Sequence, residues 1–268
     1  MKPAPFHYER AESVDEAVAL LAEHGPEAKV LAGGQSLVPA LNMRLVRPTV
    51  LIDVNGVDEL GDVVPEEGTV RVGALVRQAD PRLLDIPLLA ECLPHVGHFV
   101  TRNRGTVGGS IAHADPAAEL PLALVALGGS VRVRSARGLR EIPASDFFLG
   151  HFTTTLDSDE LVVETVWPRR ADDRGYAFEE LAQRHGDFAL CMATAVVSDG
   201  RIGVGLGSVV DRPTMLEVDA DRPGESAAAQ VEPVGNLHAS AAYLRHLVRV
   251  LVDRAVARAS AGAAGATA

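Results

Sequence analysis

Two short segments, Leu31-Ala-Gly-Gly-Gln-Ser-Leu37 and Arg102-Asn-Arg-Gly-Thr-Val-Gly-Gly-Ser110, constrain this chain more than any other feature. Each sets a glycine pair beside a hydroxyl residue, a composition that lets backbone N–H groups close around an anion. Two such loops suit a diphosphate. Either pair alone is better explained as an ordinary strand-to-helix turn, where glycine need only supply positive φ. The presence of both in one chain favours binding.

The surrounding pattern alternates helix and strand. Ser13-Val-Asp-Glu16 has capping-box spacing and introduces the apolar face Val14, Ala17, Val18 and Leu21, which Gly25 and Pro26 stop. A strand over 29–31 runs into the first glycines, and Ser36 with Pro39 starts a second helix through Met43 and Arg44. The runs 50–54 and 69–73 are β-rich. Residues 87–96 read as a helix, the second glycine loop follows, and 117–127 read as a buried helix ended by Gly128 and Gly129. The segments 130–134 and 160–167 alternate as strands do. A charged, aperiodic stretch over 169–175 is the candidate domain boundary. Strands over 176–181, 190–197 and 202–210 then form a small antiparallel sheet, with Ser198-Asp-Gly-Arg201 as a hairpin between the last two. The tract 211–235 reads as a polar connection. In the final helix Leu244, Leu247, Val248, Leu251, Val252 and Ala255 make one apolar stripe, with Arg245, Arg249, Arg254 and Arg258 solvated and the tail 260–268 frayed. The fold class is α+β. An amino-terminal domain over 1–170, of two α/β subdomains (about 1–55 and 56–170), precedes a C-terminal domain over 171–268 of antiparallel sheet plus helices.

Composition removes several functions. A formal net charge of −11 opposes binding to nucleic acid. No run of about 18 apolar residues occurs, so no membrane span is expected. The amino terminus lacks a signal-peptide h-region, which makes a cytoplasmic protein the expectation. Cys92 and Cys191, the only cysteines, cannot ligate an iron–sulfur cluster. His95 and His98 share a helical face but lack a third ligand, so no metal site is expected. Gly203-Val-Gly-Leu-Gly-Ser208 sits inside a hairpin strand with no helix after it and is read as structural, not as a dinucleotide fingerprint. Gly34-Gln-Ser-Leu-Val38 starts like a nucleophile elbow but lacks the closing glycine. No catalytic residue is expected on this chain.

The spelling and order of the two glycine segments resemble the FAD-binding (medium) subunit of the molybdenum hydroxylases, the family of xanthine and carbon monoxide dehydrogenases. The likeness runs from Phe6-His-Tyr8 to Tyr243-Leu-Arg245. It implies a PCMH-type FAD-binding fold over 1–170 and one noncovalently bound FAD. By this resemblance Ala32, Gly33, Gly34, Gln35, Ser36 and Leu37, with Thr106, Val107, Gly108, Gly109 and Ser110, clasp the FAD diphosphate through backbone amides and hydroxyls. Asp115 and Glu119, in the His113–Pro121 stretch, are implied contacts of the ribityl and ring region. Leu161 is implied near the ring, and Arg184 and Phe188, in Arg184-His-Gly-Asp-Phe-Ala189, approach it from the C-terminal domain. The implied partners are a large subunit with the molybdenum cofactor and a small subunit with two [2Fe–2S] clusters, arranged as a dimer of heterotrimers. This chain would pass electrons from those clusters through FAD to an external acceptor. Two other classes compete with this reading. A free-standing flavin oxidase would need a substrate pocket and usually a His or Cys tether; a scaffold without FAD would not need the intact glycines.

Overall fold

The computed structural model describes residues 2–171 and 173–265. Its amino-terminal layer is a three-stranded parallel sheet, order β1-β3-β2, of β1 (His7–Arg10), β2 (Ala28–Leu31) and β3 (Val50–Asp53). Helices α1 (Val14–His24) and α2 (Leu37–Asn42) make the crossovers. Ser13 caps α1 by accepting from the Glu16 N–H at 3.1 Å, whereas the Glu16 carboxylate takes the N–H of Glu12 and leaves that of Ser13. Gly25 ends the helix at φ +52. Ala17, Val18 and Leu21 then join Ile52, Val54 and Leu161 in one apolar core.

The second layer is a five-stranded antiparallel sheet. It contains β4 (Val63–Pro65), β5 (Thr69–Gly73), β6 (Ser130–Ser135) and β7 (Gly138–Pro143). The short helices α3 (Leu89–Cys92), α4 (Phe99–Arg102) and α5 (Val107–His113) and the longer α6 (Glu119–Leu127) fall between β5 and β6; α7 (Ala144–Phe147) and a small ribbon of β8 (Phe148–Gly150) and β9 (Thr153–Thr154) follow β7. Strand β10 (Leu161–Pro168) comes last in sequence yet occupies the centre, giving the order β4-β5-β10-β6-β7. Its outward Glu164 bridges Arg71 at 3.0 Å and Arg132 at 2.7 Å across both neighbours. The buried Trp167 satisfies its indole N–H on the Thr165 hydroxyl at 2.7 Å.

The third layer is an antiparallel sheet in sequence order, β11 (Arg174–Ala182), β12 (Ala189–Ser198), β13 (Arg201–Gly207) and β14 (Thr214–Glu217), covered by α8 (Pro223–Ala229) and α9 (Ala241–Gly265). Asp199 and Gly200, both at positive φ, make the two-residue hairpin turn that the sequence signals. The stripe Leu244, Leu247, Val248, Leu251, Val252 and Ala255 is buried on this sheet. The glycines of β13 face α6, and a β-carbon at Gly205 or Gly207 would crowd Leu122, Thr194 or Met192. That close approach accounts for the Gly203–Ser208 repeat as packing.

Five expectations need correction. Residues 87–96 are helical only over Leu89–Cys92, because Leu88 takes φ +64 before that turn and Pro94 follows it. The second glycine loop is itself helix α5, whose N-cap Thr106 accepts from the Gly109 N–H at 3.0 Å. The tract 211–235 contains β14 and α8, each too short to show a period. Arg258 does not stand free in solvent: it pairs with Glu91 at 2.8 Å and Glu179 at 2.6 Å and donates to the Phe178 carbonyl, tying α9 to α3 and β11. The tail is helical from Ser260 to Gly265, and 266–268 lie outside the described residues.

Every residue of α6 except Ala126 is buried, wedged between the second and third layers. At this seam Glu119 is 7% exposed and the Glu180 side chain 2%, with Glu180 Oε1 3.7 Å from His95 Nδ1 and its Oε2 unpartnered among the described residues. Burial, then the charge of Glu180, pushes Glu119 up to about 8; burial alone pushes Glu180 to about 7. A carboxyl whose folded pKa exceeds its unfolded value of 4.5 favours folding while protonated, so this contribution is complete below pH 4.5 and lost as pH rises toward 8. Glu119→Gln should therefore raise the melting temperature at pH 8 by about 2–4 °C or more, the effect of roughly 1 kcal/mol in a chain of this size. The gain should shrink toward pH 5 in thermal scans; equal gains at both pH values would show that Glu119 is not protonated in the fold.

Candidate functional site

A cleft of about 530 Å³ opens at the carboxyl ends of β2 and β3, the end where parallel sheets hold their ligands. Leu31, Ala32, Gly33, Gly34 and Gln35 form one wall, continued by Val38 and Pro39 of α2; Asp53, Asn55, Arg77 and Arg104 complete it. Gly34 sits at φ +72, a backbone state that L-side chains rarely adopt. Gly33 serves a different need. A β-carbon there would collide with the Arg104 carbonyl and lie 2.9 Å from Gly105 Cα, so this glycine lets the two segments touch.

The N–H groups of Gly33, Gly34, Gln35 and Ser36 have no acceptor among the described residues. They form a bare donor edge beside two arginines. Arg77 donates to Asn55 Oδ1 at 2.9 Å and to the Arg104 carbonyl, and neither Arg77 nor Arg104 has a carboxylate within 4 Å among the described residues. Burial, then the charge of Arg104, lowers the Arg77 pKa. Burial would raise Asp53, but hydrogen bonds from Tyr8 and Asn55 outweigh it and hold that carboxyl below its usual range. Free amide donors and cations with no carboxylate in direct contact together are the complement of a phosphate group.

The second segment differs from the first. The N–H groups of Val107, Gly108, Gly109 and Ser110 bond to Val76, Ala74, the Thr106 hydroxyl and the Thr106 carbonyl respectively. Gly108 presses on Ala74, where any β-carbon would collide. Two equivalent amide loops were expected; the structure has one open donor edge and one capped helix packed against it, with Arg104 reaching the cleft from the turn before that helix.

The other sequence-derived candidates stand outside the cleft. Asp115 accepts from the Ala117 N–H at 2.9 Å in the turn before α6. Glu119 lies in the seam described above, and Leu161, 4% exposed, lies in the amino-terminal core. Arg184 is exposed and Phe188 is 71% exposed, on a turn whose Gly186 abuts Gly97 and His98. Ser110 is half-buried on α5, whose last residue, His113, packs its ring 5.0 Å from that of Phe152. No group of three or more metal-ligating side chains occurs among the described residues, nor any helix long and apolar enough to cross a membrane.

Asn55, Arg77 and Arg104 were missed from the sequence. Asn55 carried a usable signal, a polar residue just past a parallel strand's carboxyl end. Arg104 was adjacent to a glycine motif. Arg77, between Val76 and Gln78, has no local signal and reaches the site only through the β-bridge it forms with Thr106.

Residues 4–170 match the family model described as the FAD binding domain in molybdopterin dehydrogenase. Over 283 residues, 97% of this chain and 96% of the relative, the sequence is 38% identical to 6-hydroxypseudooxynicotine dehydrogenase complex subunit alpha of Paenarthrobacter nicotinovorans. It is 34% identical to the carbon monoxide dehydrogenase medium chain of Hydrogenophaga pseudoflava, across 96% of this chain and 97% of that one. The fold matches quinoline 2-oxidoreductase from Pseudomonas putida 86 with a TM-score of 0.92 at 35% identity, covering 98% of this chain and 99% of the other. By sequence and by fold, then, the chain belongs to the FAD-binding medium subunits of the molybdenum hydroxylase family of oxidoreductases.

Proposed function

We propose that this chain is the electron-transfer subunit of a molybdenum hydroxylase complex, taking electrons from [2Fe–2S] clusters on a small partner and delivering them through FAD to an external acceptor. A large partner would hold the molybdenum cofactor and oxidise the organic substrate, and the assembly would be a dimer of heterotrimers. The observation that carries the reading is the bare amide edge from Gly33 to Ser36 beside Arg77 and Arg104. Those residues fit a diphosphate, and FAD contains one. When bound, FAD supplies reversible uptake and release of electrons.

The residues of the chain then bind and orient. Ala32 to Leu37 supply amide donors, and on the family resemblance we assign the Ser36 and Ser110 hydroxyls as further donors to the cofactor. Thr106 holds Gly108 and Gly109 in a helical turn that abuts the first segment, since a β-carbon at Gly109 would lie 3.8 Å from that of Ala32. On the family resemblance we assign Asp115, Glu119, Leu161, Arg184 and Phe188 to the flavin end. The exposed ring of Phe188 suits shielding of a flavin face, and Arg184 supplies positive charge near it. We further infer the division into a PCMH-type FAD-binding domain over 1–170, with subdomains of about 1–55 and 56–170, and a C-terminal domain over 171–268. A free-standing oxidase or a scaffold without FAD has no observation in its favour.

The purified chain should be yellow, with about one FAD per chain, and release all its flavin on acid precipitation because no side chain tethers it. A colourless protein that takes up no FAD on titration would overturn the assignment. Alone, the chain should turn over no organic substrate, and adding the two partner subunits should restore substrate-dependent flavin reduction. Turnover by the isolated chain at roughly 1 s⁻¹ or faster, an ordinary enzymatic rate, would replace this reading with the free-standing oxidase.

A further inference from the structure

Glycine alone does not decide which way a peptide unit faces. In the first segment the carbonyls are drawn into the protein by particular donors. Asn55 Nδ2 donates to the Ala32 carbonyl at 2.8 Å and to that of Leu31 at 3.3 Å. Gln35 Nε2 donates to the Gly33 carbonyl at 3.2 Å, and the Val38 N–H donates to that of Gly34 at 3.0 Å. With the acceptors turned inward, the N–H groups of Gly33 to Ser36 are left without partners. Asn55 is itself fixed, because its N–H donates to Asp53 Oδ1 at 2.8 Å and its Oδ1 accepts from Arg77 Nη2 at 2.9 Å. Arg77 reaches on to the Arg104 carbonyl, the group against which Gly33 is packed. One side-chain chain, Asp53–Asn55–Arg77, thus spans both walls of the cleft.

We propose that Asn55 and Arg77 are positioning residues for the cofactor's diphosphate: Asn55 turns the first segment so that its amides face the cleft, and Arg77 locks the second wall to it while presenting a cation beside the amides. This inference rests on the FAD reading above. A purely structural brace has no need of a charge, yet Arg77 is a half-buried cation whose hydrogen-bond partners are neutral and whose neighbour Arg104 is also a cation. An arrangement of that kind gains when an anion enters, because no carboxylate lies within 4 Å of either arginine among the described residues and only the more distant Asp53 offsets Arg77.

The test compares ligands that share or lack the diphosphate. Flavin-free protein is titrated calorimetrically with FAD, ADP and riboflavin, for the parent chain and for Arg77→Gln, Arg77→Lys and Asn55→Ala. Arg77→Gln should weaken FAD and ADP at least about tenfold, the loss of one charge-assisted hydrogen bond, while leaving riboflavin within about twofold. Its FAD affinity should also depend less on salt than the parent's. Arg77→Lys should recover part of the loss by restoring the charge without the fork that bridges Asn55 and Arg104. Asn55→Ala, which keeps both arginines, should show the same selective loss, so the inference stays testable if Arg77→Gln does not fold. FAD affinity within twofold of the parent in both Arg77→Gln and Asn55→Ala, or an equal loss for riboflavin, would overturn the inference and leave the FAD reading standing. A parent chain that binds neither FAD nor ADP would overturn both.

Discussion

The cleft depends on one close approach, that of Gly33 to the carbonyl of Arg104. It brings the end of the parallel sheet against the turn that precedes α5, so residues some seventy positions apart become two walls of one site. Any side chain at 33 would separate them. The network from Asp53 through Asn55 and Arg77 then fixes the walls in register and, together with Gln35 and the Val38 N–H that hold the Gly33 and Gly34 carbonyls, leaves the N–H groups of Gly33 to Ser36 without partners among the described residues. Oriented amides of this kind bind anions because their dipoles need no reorganisation when the ligand arrives.

The remaining layers hold those walls in place. Strand β10 closes the central sheet between β5 and β6, so its two hairpins, β4-β5 and β6-β7, are joined through a strand that returns from later in the chain. Helix α6 transmits that order to the C-terminal sheet, whose glycine-lined strand β13 accepts its leucines. At the opposite edge Arg258 and Glu91 secure α9 to α3. The seam is not wholly apolar: burial pushes Glu119 up to about 8 and Glu180 to about 7, which makes the junction of the layers sensitive to pH.

Much of this was legible in the residues. The Ser13 cap, the Asp199-Gly200 turn, the alternation of β6 and the stripe of α9 are local rules obeyed locally, whereas β10, a strand as expected, loses its alternation at the register shift between Val162 and Glu164. The order of the glycine segments was enough to name the family. The asymmetry between them was not legible, because Gly34 answers to a backbone angle while Gly33 and Gly108 answer to neighbours distant in sequence. Short elements such as β14 and α8 hold too few residues to show a period. Arg77 gave no local signal and Arg258 read as a solvated cation, since the partners that define them come from other segments.

The central claim is that the diphosphate lies on the amide edge of the first segment. A crystal structure of the chain with FAD bound tests it most directly. The account predicts phosphate oxygens within about 3.2 Å of at least two of the N–H groups of Gly33, Gly34, Gln35 and Ser36, the range of a hydrogen bond, with the Arg77 guanidinium beside them. A diphosphate seated elsewhere, with those amides still without ligand, would contradict it.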